Sequence, residues 1–348
     1  MQQITIWFNR TFSHVRPAIE LIHAADTEQR FRTICSHENP NFPGFSAASY
    51  SEREPADLDS DAYVDYCLDF CQRNQVDIFY PGRGAGAIAL RRAEFAALNT
   101  RLILVADDAA LTALEEKAQF YLDQANAEVS GPETIMVQSY AEYQQAHATL
   151  RSRHAALCIK PSVGVYGIGF RIIDERRKAL DHILKGIDFH VASTDLDREL
   201  SSMQRFKPLL VMEYLSGHEY SVDCLASDGR LLVAVARRKE RGTGAGQTIV
   251  DDPLIVRACE RLALEYGLNA IFNVQFKEDG EGRLRVLEIN ARMSGGSAMA
   301  CLAGPNLPHL AVLDALGELD QQHIPAVKHG LRVGEYRQAV VLPEAQSA

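Results

Sequence analysis

Apolar residues recur in two rhythms along the first third of the chain. Short runs at 4–8, 31–35 and 76–80 read as strands, while 15–25 and 63–74 repeat their apolar positions at helical spacing. A further helix and a strand at 101–106 continue the alternation. For residues 1–108 this predicts a mostly parallel, doubly wound sheet with helices on both faces. Residues 36–57 carry Pro40, Pro43, Gly44 and Pro55 and are expected as a long irregular loop. Gly82, Gly84 and Gly86 follow the third strand, not the first, and their spacing is G-x-G-x-G, so the dinucleotide fingerprint is not met. They are expected in a loop at the carboxyl edge of the sheet, lining a ligand crevice or forming a plain turn.

The texture then changes. Leu111, Leu114, Ala118, Tyr121 and Ala125 predict one long amphipathic helix over 109–127, ended by Gly131-Pro132. A helix at 140–151 and a strand at 156–160 lead into the glycine-rich stretch 161–169 and a strand at 170–173. Strands at 209–215, 220–226 and 231–237, separated by turns at Gly217 and Asp228-Gly229, read as an antiparallel meander. The polar, basic segment 239–247 reads as a mobile loop, followed by a helix at 253–266 and two strands at 273–277 and 284–289 around a turn at 279–282. The expected division is 1–108, 109–208 and 209–348, in keeping with a chain of 348 residues.

Composition narrows the function classes. With 47% hydrophobic and 24% charged residues the chain is ordinary globular protein. Its formal charge of −10 disfavours a nucleic-acid partner, which needs a basic face. Seven scattered cysteines form no disulfide framework or zinc motif, and Cys67 and Cys71 read as one half-buried helix face. Neither a signal segment nor a membrane span is expected, so a cytoplasmic location and no membrane partner follow.

Four features carry candidate chemistry. Lys160 ends a strand and enters a loop with Gly164 and Gly167. An ammonium beside glycines whose N–H groups approach closely suits phosphate oxygens, a flexible turn with a surface lysine being the competing reading. Glu213, Tyr214 and Leu215 lie where a strand turns into a connector, able to pair its backbone with an adenine edge while Glu219 accepts from a ribose. Glu288 and Asn290, two apart on a strand, share a face that Gln275 on the neighbouring strand can reach. Three oxygen donors there suit magnesium, against a solvated polar face. Arg292 comes two residues later, placed to neutralise a transferring phosphoryl group.

In that order, Lys117, Lys160 with its glycine loop, MEYLSGHEYSVD, NVQ and LEINAR, the chain resembles the ATP-grasp enzymes. It is similar in particular to the synthetase unit of the carbamoyl phosphate synthetase large chain and to stand-alone carboxylate–amine ligases. The stretch 287–297 and Gly304-Pro305-Asn306-Leu307-Pro308 carry much of that likeness. The resemblance covers nearly the whole chain and implies an N-terminal α/β domain followed by a two-lobed ATP-grasp fold of α+β character.

It further implies ATP and Mg2+, with Mn2+ as a substitute, and an ADP-forming ligase that joins a small-molecule carboxylate to an amine or other nucleophile. Lys117 and Lys160 match phosphate-contacting positions, with Gly164 and Gly167 in the loop that covers the phosphates. Glu213, Tyr214 and Leu215 match the adenine connector and Glu219 the ribose contact. Gln275, Glu288 and Asn290 match metal ligands, with Gln275 an amide rather than an acid. Arg292 matches the phosphate or intermediate clamp. Arg237 and Arg241 lie near a segment that touches the acyl substrate in similar enzymes, a solvated loop being the competing reading. The loops 161–169 and 239–247 would serve as lids. The rival functions are a non-catalytic ATP-sensing subunit and a carbamoyl-phosphate-synthetase-like kinase acting on bicarbonate or carbamate. A nicotinamide-dependent oxidoreductase is disfavoured by the missing fingerprint. A homodimer is the default assembly.

Overall fold

The computed structural model describes residues 3–11, 14–163, 169–178, 181, 189–242, 244 and 246–336, with the backbone alone at Glu115. The first sheet holds β1 (Ile4–Phe8), β2 (Phe31–His37), β3 (Tyr50–Arg53), β4 (Ile78–Tyr80) and β5 (Arg101–Leu102) in the order β3-β2-β1-β4-β5. Its pairings are all parallel. Successive side chains of β1 go to opposite faces. Ile6 and Phe8 join a core with helix Val15–Ala25, while Trp7 stacks at 4.1 Å on both Phe70 and Phe79 in the other. The expected doubly wound sheet is thus present, with hydrophobic cover on both faces.

The second sheet contains β6 (Thr134–Val137), β7 (Leu157–Pro161), β8 (Arg171–Asp174), β9 (His190–Ala192) and β10 (Leu209–Glu213), ordered β6-β10-β7-β8-β9. Helix Tyr140–Arg151 packs on it through Tyr143, Ala146 and Leu150. The helix starts where the pattern predicts because Ser139 accepts from Glu142 N–H, while the Glu142 carboxylate takes the Gln138 N–H at 2.7 Å. The third sheet holds β11 (Glu219–Ser227), β12 (Arg230–Lys239), β13 (Gln247–Val250), β14 (Ala270–Glu278), β15 (Leu284–Asn290) and β16 (Arg332–Val333), ordered β15-β14-β11-β12-β13-β16.

Contacts divide the chain into two units. One holds the residues up to Thr112, Tyr220–Gln275 and those from Ile289 onward; the other holds Ala113–Glu219 and Phe276–Glu288. Among the described residues no helix is long and apolar enough to cross a membrane.

The structure corrects four expectations. The helix over 109–127 is two helices, Asp108–Glu115 and Lys117–Asp123, broken at Glu116 (φ −87°, ψ 81°). Apolar spacing runs on across the break because one non-helical residue barely disturbs a 3.6-residue repeat. The loop 36–57 contains the edge strand β3, whose sequence YSER is half-exposed and lacks the alternation that betrays a strand. The strand at 101–106 shrinks to Arg101–Leu102. The meander runs through β11, β12 and β13 and leaves out β10, which pairs antiparallel with β6 and β7 instead. Alternation marks a strand's faces and is silent about its partner.

Candidate functional site

In the unit built from Ala113–Glu219 and Phe276–Glu288, the break at Glu116 makes Lys117 the first residue of a new helix. Its ammonium lies 3.3 Å from Glu288 Oε2, near the end of β15. One turn on, Tyr121 donates its hydroxyl to the Leu287 carbonyl at 2.8 Å and accepts from Lys160 Nζ at 2.8 Å. Lys160 also lies over the Tyr121 ring, 5.0 Å from its centroid. Burial pushes the Lys160 ammonium below its usual pKa, and the Glu288 carboxylate works against that shift. Two lysines distant in sequence are thereby gathered at one end of one strand.

The connector has its own scaffold. Glu213 is 4% exposed and accepts the Glu133 N–H at 3.1 Å. Its carboxylate also meets His154 Nδ1 at 3.2 Å and Arg285 Nε at 3.5 Å. His154 Nε2 in turn sits 2.6 Å from Glu133. The Glu213 side chain is therefore committed to holding β10 against its neighbours, and what it can offer a ligand is backbone. Tyr214 lies under the Lys277 ammonium at 5.4 Å, Leu215 is buried, and Glu219 is the first residue of β11.

In the other unit, Asn290 ends β15 and its amide oxygen accepts from the Arg292 guanidinium at 3.3 Å. Arg292 also donates to the Met293 carbonyl at 3.3 Å. Gln275 lies on β14, next to β15 in the sheet, and is half-buried. Arg237 departs from the polar-loop reading, because it belongs to β12 and is 1% exposed. Its guanidinium donates to Asp223 Oδ2 at 2.8 and 2.7 Å, to Ser221 at 3.1 Å, to Ser294 at 3.0 Å and to Gln247. Asn273 and Ser294 complete the coordination of Asp223, at 3.2 and 2.6 Å. Gly296 lies against this arginine: a Cβ there would come within 2.6 Å of Arg237 NH1. Arg241 is exposed in the loop after β12. Gly164 and Gly167 lie outside the described residues.

Glu288 in one unit, and Asn290 and Gln275 in the other, carry hard oxygen donors, the type that suits magnesium. Only Glu288 brings formal charge, and Lys117 beside it offsets that charge. Among the described residues no group of three or more His, Cys, Asp and Glu is arranged to hold a metal. Oxygen donors of this kind fit a divalent cation whose remaining charge the phosphates of a nucleotide balance.

Comparison with known proteins identifies the fold. The chain superposes on N5-carboxyaminoimidazole synthetase from Staphylococcus aureus complexed with ADP with a TM-score of 0.67 at 12% identity. The match covers 91% of this chain and 78% of that one. Residues 205–339 match the family model described as ATP-grasp in the biosynthetic pathway with Ter operon. This chain has the ATP-grasp fold. The L-amino acid ligase of Bacillus licheniformis matches with a TM-score of 0.61 at 14% identity, over 93% of this chain and 78% of that one. Carnosine synthase 1 from Gallus gallus is 30% identical over 175 residues, 45% of this chain and 18% of the relative. The match thus spans less than a fifth of that curated relative's length. The ATP-grasp resemblance read from the motifs and the α/β plus α+β fold class are both borne out.

The ATP-grasp motifs led to the lysines and the oxygen donors but not to their supports. Tyr121 read as one more apolar position on a helix, although a tyrosine hydroxyl in a buried stripe needs a partner and hints at a role. His154 and Arg285 left no local signal, because their partner is 59 and 72 residues away.

Proposed function

We propose that this ATP-grasp chain is an ADP-forming ligase that activates a small-molecule carboxylate with ATP and joins it to an amine. The observation that carries the reading is the meeting of Lys117, Lys160 and Glu288 around the end of β15, organised by Tyr121. Two ammonium groups so placed suit the phosphates of a nucleotide. Support also comes from two similar proteins, a ligase of L-amino acids and a carnosine synthase, and from the ADP bound to a third. The ligase reading is preferred to a sensing subunit for the same reason.

In this reading Lys117 and Lys160 hold phosphate oxygens, and the loop with Gly164 and Gly167 covers them. The connector Glu213, Tyr214 and Leu215 presents backbone to the base, and Glu219 takes the ribose. Glu288, Asn290 and Gln275 would hold Mg2+, which when bound neutralises charge on the phosphates. Arg292 receives the carboxylate and the charge that develops during transfer. Arg237 supports the segment around Ser294 from below, and Arg241 contacts substrate from its loop. The γ-phosphoryl group passes from the ADP leaving oxygen to a carboxylate oxygen; the amine then attacks the acyl carbon and phosphate departs. Positioning and charge neutralisation supply most of the acceleration in such transfers.

The test is incubation of the full chain with ATP, magnesium and a pool of amino acids and simple amines. We expect ADP and phosphate in step with a new condensed product by mass spectrometry. Nucleotide binding without acid-dependent ADP release would replace this reading with the sensing one.

A further inference from the structure

We propose, resting on the ligase reading, that Tyr121 is a positioning residue for the nucleotide: its hydroxyl presets the Lys160 ammonium, relative to the end of β15, for phosphate oxygens. The hydrogen-bond count of that hydroxyl carries the inference. A phenol has one proton to give and lone pairs to receive with. The proton goes to the carbonyl of Leu287 at 2.8 Å, the residue before Glu288. A lone pair takes an N–H of Lys160, also at 2.8 Å. Burial first and Glu288 second push the Tyr121 pKa upward, so the hydroxyl keeps its proton and both bonds keep their direction. An ammonium has three donors. Among the described residues Tyr121 is the hydrogen-bond acceptor for Lys160, which leaves the other N–H groups for an anion.

The ring that carries the hydroxyl is itself held in place. Tyr121 is 5% exposed and sits on the short helix Lys117–Asp123. Gly131 packs directly against it: a Cβ there would come within 2.7 Å of Tyr121 Cδ1. The segment that brings Gly131 is tied to β15. The Ser130 carbonyl accepts the Val286 N–H at 3.0 Å, and its hydroxyl accepts from the Arg285 guanidinium at 2.6 Å. Every one of these groups belongs to the unit of Ala113–Glu219 and Phe276–Glu288, so the seat is built within that unit. A lysine stem is long and rotamer-rich, and an ammonium fixed beforehand has less freedom to lose when an anion arrives. A tyrosine that only braced its helix against the strand would need the Leu287 bond alone. The bond from Lys160 is what bracing leaves unexplained.

The experiment is a double-mutant cycle on the full chain, with wild type, Tyr121→Phe, Lys160→Met and the double variant. Each is titrated calorimetrically with a non-hydrolysable ATP analogue plus magnesium, and with adenosine. Tyr121→Phe keeps the ring and removes only the hydroxyl. It should weaken the ATP analogue about tenfold when Lys160 is present, and by less than about twofold in the Lys160→Met background. Adenosine carries no phosphate and should bind all of these proteins alike, within about twofold. Lys160→Arg keeps the inference open to test if loss of the hydroxyl unfolds the chain. It retains the charge but replaces a compact ammonium with a planar fork, and should weaken the ATP analogue about tenfold. A purely structural tyrosine gives equal losses in both Lys160 backgrounds, or a loss for adenosine as large as for the ATP analogue. Either result overturns the proposal, as does wild-type affinity in Tyr121→Phe or in Lys160→Arg. Failure of the ligase reading looks different: the cycle shows the expected coupling, yet no acid and amine elicit phosphate release from ATP. A wild type that binds no ATP analogue overturns both.

Discussion

Two ion pairs in this chain invite the same description and behave as opposites. Arg237 and Asp223 have side chains 2% and 0% exposed, and Ser221, Ser294 and Asn273 add hydrogen bonds around them. Lys117 and Glu288 are 14% and 27% exposed, with ammonium and carboxylate 3.3 Å apart. The first pair has been removed from water and compensated by protein, so it has little left to offer a substrate. The second keeps solvent access and loose geometry, and either partner can be drawn toward an incoming ion at small cost. Charge in a sequence motif therefore marks chemistry only when the fold leaves that charge negotiable.

The contrast is broken most directly at Asp223. Asp223→Ala leaves the Arg237 guanidinium buried without its counter-charge, and the expected loss of stability is about 3–5 kcal/mol, read from urea unfolding. An unfolding midpoint near that of the wild type would mean that the pair is not a structural keystone. Glu288→Ala should do the reverse. Its partner Lys117 can find water, so stability should move by no more than about 1 kcal/mol. Acid-dependent phosphate release should fall about 10²- to 10³-fold, the usual cost of removing one preorganised electrostatic group. A variant that hydrolyses and transfers at the wild-type rate would remove Glu288 from the site.

The same distinction explains what was legible in the sequence. The parallel sheet was legible because β1, β2 and β4 are short apolar runs whose side chains face two hydrophobic cores. Helix Tyr140–Arg151 was legible to its ends because its cap is written locally in Ser139 and Glu142. The candidate donors Glu288 and Asn290 were legible because a two-residue spacing on a strand is itself a statement about direction. What stayed hidden depended on distance. β3 lacks alternation and is held at the edge of its sheet by a distant neighbour, and β10 chose partners in another sheet. Arg237 looked like a loop arginine because its four partners come from β11, β13 and the segment after β15. Tyr121 looked like core because its hydroxyl, not its ring, carries the information.

The finest test of the comparison lies at His14, a buried group whose charge has been suppressed rather than compensated. Its folded pKa of about 4 lies below the usual 6.5, owing to burial first and to Arg292 second. The unfolded chain therefore takes up a proton on this ring at higher pH than the folded one does. Stability attributable to the neutral ring is present above pH 6.5 and is lost as pH falls toward 4. Between pH 7 and pH 5.5 the loss from this one group is about 1 kcal/mol. His14→Gln keeps a polar side chain of similar size and cannot titrate, so the difference in unfolding free energy between wild type and variant should slope across that window. His37 and His309, whose pKa values are also lowered chiefly by burial, are common to both proteins and cancel. A difference that stays flat from pH 7 to 5.5 would show that the ring reaches solvent in the folded state.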